Sequence, residues 1–260
     1  MEKILNDQDV YEICELVQSA GKEVLKIRSS EQAASLKSDL SPVTLADLRS
    51  NEIIKQGLTA RFPETQIVSE EGAKFGYDAF WLVDPLDGTK EFMTGKSEFT
   101  VNIAFIVAKA VEFGAVYAPA TGELFFGGKK YGSWKQVAEG VAPIRVNQNN
   151  NFPVRIAVSR SHIDFETLEF ADRYPRRELI SSGSSLKLCL VSDGRADLYP
   201  RFGRTMEWDI AAGQAVLEGA GGGVFSFPEL QSLGYEKPNW ENPAFIAAAS
   251  RRLIKLDPML

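Results

Sequence analysis

"WLVDPLDGTKEF" occupies residues 81–92. Trp81, Leu82 and Val83 read as the end of a buried strand, and Asp84 and Asp87 follow them with Pro85 between. Carboxylates placed there repel each other and lose water, so they need an opposite charge or a turn to sustain them. Pro85 fixes one φ angle, and Gly88 admits backbone conformations closed to other residues. The stretch therefore predicts a tight turn that gathers both carboxylates and the Leu86 carbonyl round one point. Such an oxygen set suits a hard divalent cation, Mg²⁺ above all. Behind it, the backbone N–H groups of Gly88 and Thr89 open a new segment able to hold a phosphate oxygen. D-P-x-D-G is also ordinary turn chemistry, so the pentapeptide alone does not separate a metal site from a plain turn.

Outward from this stretch, the patterns alternate between helix and strand. Val10, Ile13, Leu16, Val17, Ala20, Val24 and Leu25 form a helical stripe over residues 8–28, with Asp7 or Asp9 as its cap. In "SPVTLADLRSNEIIKQGLTARFP", Thr44-x-x-Asp47 predicts a capping box opening a helix that ends near Phe62-Pro63. "TQIVSEEG" and "AFWLV" read as strands. From Phe99 to about Trp134 the text becomes an antiparallel meander, with "APATG" as a turn. After the Asn-rich tract at 147–153, "VRIAVS", "ADLYP" and "AFIAAA" read as strands, and Ile163–Tyr174, Leu186–Ser192 and Ile210–Gly219 as helices. The expected architecture is α/β (α+β) in alternating layers, with two subdomains, 1–150 and 151–260, joined near 145–153.

Composition excludes several classes. The 260 residues are 44% hydrophobic and 25% charged, ordinary for a globular protein. A net charge of −6 and a pI of about 5.1 argue against nucleic acid as a partner and against wholesale binding to anionic lipid. An anionic small molecule then needs a local positive site such as a metal. Cys14 and Cys189 are too few for a disulfide framework or a thiolate zinc site, which suits a reducing cytoplasm. No basic-then-apolar start reads as a signal peptide, and Asn102, Lys109 and Glu112 break the longest apolar tract, so no transmembrane segment is expected.

Other acids share the pattern of Asp84 and Asp87. "VSEEG" ends a strand in carboxylates, and "MEWDIAAGQAVLEGAGG" puts Asp209 directly before an apolar helix. Singly, Asp209 reads as a helix cap, Glu70 and Glu71 as a solvated turn, and Asp47 as part of its capping box. Their coincidence at element ends beside apolar segments is what the bland readings leave unexplained.

In this order and spacing, "SEEG", "WLVDPLDGT" and "WDIAAGQAVLEGAGG" resemble the Mg²⁺-dependent, lithium-sensitive inositol monophosphatase superfamily over nearly the whole chain. Lys90-Glu91-Phe92, "EFTVNIAFI", "SRSH" and "GSSLKLCLVSDGRADLYPRFG" are similar to its bacterial 3′(2′),5′-bisphosphate nucleotidase branch. The resemblance implies the family's layered α-β-α-β-α sandwich. It also implies that Glu70, Asp84, Asp87, Asp209 and the Leu86 carbonyl bind two or three Mg²⁺ ions. By the same resemblance Thr89 and Asp47 act together on the attacking water. Ser159, His162, Ser184 and Lys187 would surround the nucleotide, with Glu70, Leu86, Asp87, Gly88, Thr89 and Asp209 lining the reacting phosphate. Arg201 and Arg204 are expected to have a structural or electrostatic role near the site. The glycines at 219–223 are expected to end the Asp209 helix.

The implied reaction removes the 3′-phosphate of adenosine 3′,5′-bisphosphate (PAP), giving AMP and phosphate, with the phosphosulfate PAPS as a second substrate. This would clear a by-product of sulfate assimilation. The nearest alternative is an inositol or sugar phosphatase of the same superfamily; "SRSH" and Lys90-Glu91 favour the nucleotide. A catalytically silent metal- or phosphate-binding regulator finds no support, since every motif carboxylate and Thr89 are present. Association with the inner membrane rests on the family alone. Monomer and homodimer both stay open.

Overall fold

In the computed structural model, which describes residues 5–30, 41–70, 76–148, 153–161 and 163–256, helix α1 (Asp7–Ser29) starts from Asn6. Neither Asp7 nor Asp9 is the cap. Asn6 Oδ1 accepts the Asp9 N–H and the Asp9 carboxylate accepts the Asn6 N–H, both at 2.9 Å, so Asp9 closes the box from the far side. Helix α2 (Pro42–Arg61) is capped by Ser41, whose Oγ accepts the Thr44 N–H at 3.3 Å. The predicted Thr44-x-x-Asp47 box is thus a turn too late. Proline is welcome at a first helical position because its missing N–H leaves no partner wanting. Asp47 sits in the second turn of α2 instead.

Seven strands follow in sequence order: β1 (Gln66–Ser69), β2 (Ala79–Asp87), β3 (Thr100–Val107), β4 (Ala110–Ala118), β5 (Glu123–Gly128), β6 (Gly132–Val137) and β7 (Gly140–Pro143). β1 runs parallel to β2, and the remaining pairs are antiparallel. The meander extends past Trp134 to Pro143. β7 is exposed at every residue, so no alternation betrays it. β2 does not stop before D-P-L-D. Asp84 pairs with Asn102 and Asp87 with Thr100, so one extra residue bulges out where the sequence predicts a tight turn. Gly88 then turns the chain at φ +87° into the short helix α3 (Thr89–Met93).

The second sheet contains β8 (Val154–Ser159), β9 (Arg177–Ser182), β10 (Leu198–Arg201), β11 (Gly223–Ser226) and β12 (Phe245–Ala248), in the order β11-β12-β10-β8-β9. Helices α4 (Phe165–Asp172), α5 (Leu186–Ser192) and α6 (Glu207–Gly219) complete it. α1 and α2 cover one face of the first sheet, and α6 covers the other. α5 and α6 are shared with the second sheet, whose far face takes α4. Four apolar clusters fill the gaps between these layers. The layered α-β-α-β-α sandwich is the expected fold. α6 lies so close to β4 that a methyl on Gly114 would stand 2.3 Å from the Ala212 carbonyl oxygen.

Candidate active site

A cleft of about 210 Å³ opens where the end of β2, the start of α3, the end of β8, the starts of α5 and α6 and the end of β10 meet. Its lining mixes the acids Asp87, Glu91 and Asp209 with the cations Lys90, Lys187 and Arg201, and Gly88, Thr89, Ser159 and Ser184 line it as well. A larger cavity of about 600 Å³ beside Tyr174 and Arg252 contains none of the predicted site residues. Its one acid, Asp197, is already paired with Arg155 at 2.8 Å.

The bulge carries Asp84 and Asp87. Asp84 is 5% exposed, and its Oδ1 accepts the Leu86 N–H at 3.1 Å across the bulged residues. The Leu86 side chain faces the apolar core. Ser50, on α2 and fully buried, donates its hydroxyl to the Pro85 carbonyl at 2.7 Å, tying α2 to the bulge. Asp47 lies three residues earlier on that helix, on the same face. Glu70 directly follows β1, exposed, beside the parallel β2. Asp209 lies in the first turn of α6, where its Oδ2 accepts the Met206 N–H at 2.8 Å.

These carboxyls sense one another. Asp84 is pushed well above the ordinary carboxylate range, first by burial and then by the charges of Asp87, Asp209, Glu70 and Asp47. Asp209 rises to about 7, again through burial first and Asp87 second, with the Met206 N–H opposing. Burial also raises Asp87, against the pull of Lys187 and of the Ser185 N–H, which reaches its Oδ2 at 2.7 Å. Among the described residues no three acid, cysteine or histidine groups are drawn tightly enough together to hold a metal as they stand. Like-charge repulsion opposes that closeness. The donor chemistry nevertheless fits a divalent ion, because hard carboxylates on four elements lie near enough for their charges to act together on Asp84. Membership of the matching family, given below, implies the same dependence on a divalent metal.

Ser184, in the lining of the cleft, takes φ +47°, a left-handed conformation unfavourable for a residue with a side chain. Lys187, 5% exposed, donates to the Ser184 carbonyl at 2.6 Å and lies 5.3 Å from the Tyr199 ring centroid. Burial pushes its ammonium down to about 8, although Asp87 favours the charged form. Arg201 sits in the wall with a buried Nε that has no partner, its Nη2 resting on the Arg204 carbonyl at 3.0 Å. Arg204 instead pairs with Glu241 at 3.3 Å.

Of the expected site residues, Asp87, Gly88, Thr89, Ser159, Ser184, Lys187 and Asp209 line this cleft; Asp47, Glu70 and Asp84 are not in its lining but sense one another's charge, and Leu86 directly precedes Asp87. His162 lies outside the described residues. Sequence reasoning did not single out Glu91, Ser161, Ser185 or Tyr199 as site residues. Glu91, 5% exposed, accepts the Ser161 hydroxyl at 2.5 Å, joining "KEF" to "SRSH" along the cleft rim. Both motifs are legible in the sequence; the bond between them needed the fold.

The five-layer sandwich with its cleft is that of the inositol monophosphatase family, whose sequence profile matches residues 6–255; the chain belongs to that family. Among its relatives, the 3′(2′),5′-bisphosphate nucleotidase CysQ of Salmonella typhimurium is 36% identical over 242 residues, 90% of this chain and 97% of its own. The same nucleotidase from Escherichia coli K12 is 37% identical with the same coverage. The crystal structure of CysQ from Bacteroides thetaiotaomicron, 33% identical, superimposes with a TM-score of 0.86 over 95% of this chain and 98% of its own. Inositol monophosphatase from Anabaena, 25% identical, gives 0.74 over 94% and 91%.

Proposed function

We propose that this chain is a 3′(2′),5′-bisphosphate nucleotidase that hydrolyses the 3′-phosphate of adenosine 3′,5′-bisphosphate to AMP and inorganic phosphate. PAPS is a second substrate in this reading. One observation carries it beyond the family: carboxylates, Asp87 and Asp209, and cations, Lys187 and Arg201, line the same cleft. A substrate with one phosphate to be cut and another to be gripped suits a cleft that carries both kinds of group. The relatives at 36% and 37% identity bear the same activity in their names.

Glu70, Asp84, Asp87, Asp209 and the Leu86 carbonyl would hold Mg²⁺, two or three ions in all. When bound, Mg²⁺ supplies charge neutralisation at the phosphoryl oxygens and a more acidic water. The chain's own residues do the rest. Thr89 takes a proton from the attacking water as Asp47 accepts the hydroxyl proton of Thr89. The N–H groups of Gly88 and Thr89 orient the phosphoryl oxygens for in-line attack. Lys187, Arg201, Ser184, Ser159 and His162 grip the nucleotide and its second phosphate, so the scissile bond is placed by contacts remote from it. The half up to residue 150 supplies most metal donors, and the half from 151 supplies the substrate grip and Asp209.

The setting is cytoplasmic in this reading: both cysteines are free and buried, and among the described residues no helix is long and apolar enough to cross a membrane. The test is phosphate release from adenosine 3′,5′-bisphosphate and from inositol 1-phosphate, each with and without Mg²⁺. The expected result is Mg²⁺-dependent release from the nucleotide, inhibited by lithium. Faster release from inositol 1-phosphate would reverse the substrate assignment.

A further inference from the structure

Strand β3 is apolar except at Thr100 and Asn102, which are 0% and 1% exposed. They stand opposite Asp87 and Asp84 in the sheet register. Buried amide and hydroxyl groups are expensive unless hydrogen-bonded, so their placement asks for partners. Ser185 supplies them from the start of α5, 3% exposed. Its Oγ donates to Asn102 Oδ1 at 2.7 Å, Thr100 Oγ1 lies 2.8 Å from Ser185 Oγ, and Asn102 Nδ2 donates to Thr100 Oγ1 at 3.3 Å.

Proton accounting fixes the directions. Ser185 has one hydroxyl proton and gives it to Asn102, so Thr100 must be the donor to Ser185. The bonds then form a closed ring in which each member both gives and receives. Turning the Asn102 amide over reverses the ring and leaves it closed. Bonds in such a chain reinforce one another in a low-dielectric interior. The same Ser185 presents its backbone N–H to Asp87 Oδ2 at 2.7 Å.

We infer that the Thr100–Asn102–Ser185 ring is the positioning device for Asp87: it clamps Ser185 to the floor of the first sheet so that the Ser185 N–H fixes the orientation in which the carboxylate meets the cation. This rests on the reading of Asp87 as a metal ligand. The three are positioning residues, acting through Asp87. Outer partners of metal ligands typically change metal affinity or activity about 10–100-fold when removed.

The experiment is calorimetric titration of the full chain with Mg²⁺ in the absence of substrate, so the readout is metal affinity and not turnover. Thr100→Val replaces the hydroxyl by a methyl of similar shape; Thr100→Ser keeps the ring; Ser185→Ala removes its centre. Ser185→Ala and Thr100→Val are expected to weaken Mg²⁺ binding about 10–100-fold, with Thr100→Ser binding like the parent chain. Should Ser185→Ala fail to fold, the two Thr100 variants decide between them. Parent-like affinity in Thr100→Val, or equal weakening in Thr100→Ser, overturns the ring's role while leaving the metal site standing. A parent chain that takes up no Mg²⁺ overturns the metal site itself.

Discussion

In the proposed mechanism Asp47 and Thr89 divide the labour of a base between two elements, α2 and α3, that are distant in sequence. Asp47 is mounted on α2, which Ser50 ties to the Pro85 carbonyl at 2.7 Å, while Thr89 opens α3 just after Gly88. An acceptor on so rigid a mount serves proton transfer better than it serves substrate binding. Asp47→Ala is therefore expected to lower kcat by about 10²–10⁴-fold and to leave KM for the bisphosphate within a few-fold. Steady-state kinetics at saturating Mg²⁺ check this, and a large rise in KM at constant kcat would make Asp47 a binding residue. At this scale the acids were readable, because carboxylates at strand and helix ends beside apolar runs have few structural reasons to recur. Arg201 was less so. Its place in the cleft wall follows from β10 lying beside β8, a pairing that no local pattern announces.

Gly88 shows how one backbone angle sets an element. Its φ of +87° turns the bulged strand into α3, and a Cβ there would stand 2.8 Å from the Glu98 carbonyl oxygen and 3.1 Å from Phe99 Cα. Gly88→Ala thus meets strain in φ and a backbone clash together, which displaces Thr89. The expected outcome is a loss of about 1–3 kcal/mol in stability with turnover reduced by more than the unfolded fraction explains. Denaturant unfolding beside activity of the folded protein tests it, and parent-like activity per folded molecule would contradict it. Elements with strong periodicity were legible in the same way: the stripe of α1, the meander and α5 fall where the pattern puts them. The misses have physical causes. Asn6 caps α1 because a neutral oxygen accepts the turn's N–H as well as the expected aspartates do, and Ser41 caps α2 a turn before Thr44 because Pro42 already fits the first helical position. β9 is exposed at four of its six residues, and edge strands of that kind carry no alternation to read.

Across the whole molecule, the site stores like charge that the apolar layers around it do nothing to relieve. Asp209 is raised to about 7, and Asp84 and Asp87 are raised as well, burial being the first cause in each. An unfolded aspartate titrates near 3.9, so between about pH 4 and 7 the native chain binds more protons here than the unfolded chain does. The slope of unfolding free energy with pH is then negative, and metal-free protein loses stability as pH climbs through that window. Lys187, pushed down to about 8 by burial, gives the opposite slope only from there upward, so it does not mask the effect below pH 8. A divalent ion binds the deprotonated form and stabilises it by mass action, about 2.7 kcal/mol at a hundredfold excess over its dissociation constant. Thermal unfolding in a metal chelator should therefore show a lower midpoint at pH 7.5 than at pH 5.5, with saturating Mg²⁺ raising the midpoint more at the higher pH. Equal Mg²⁺ shifts at both values would mean that the carboxylates crowding Asp84 are not where the cation binds, and the charge at the centre of this fold would need another partner.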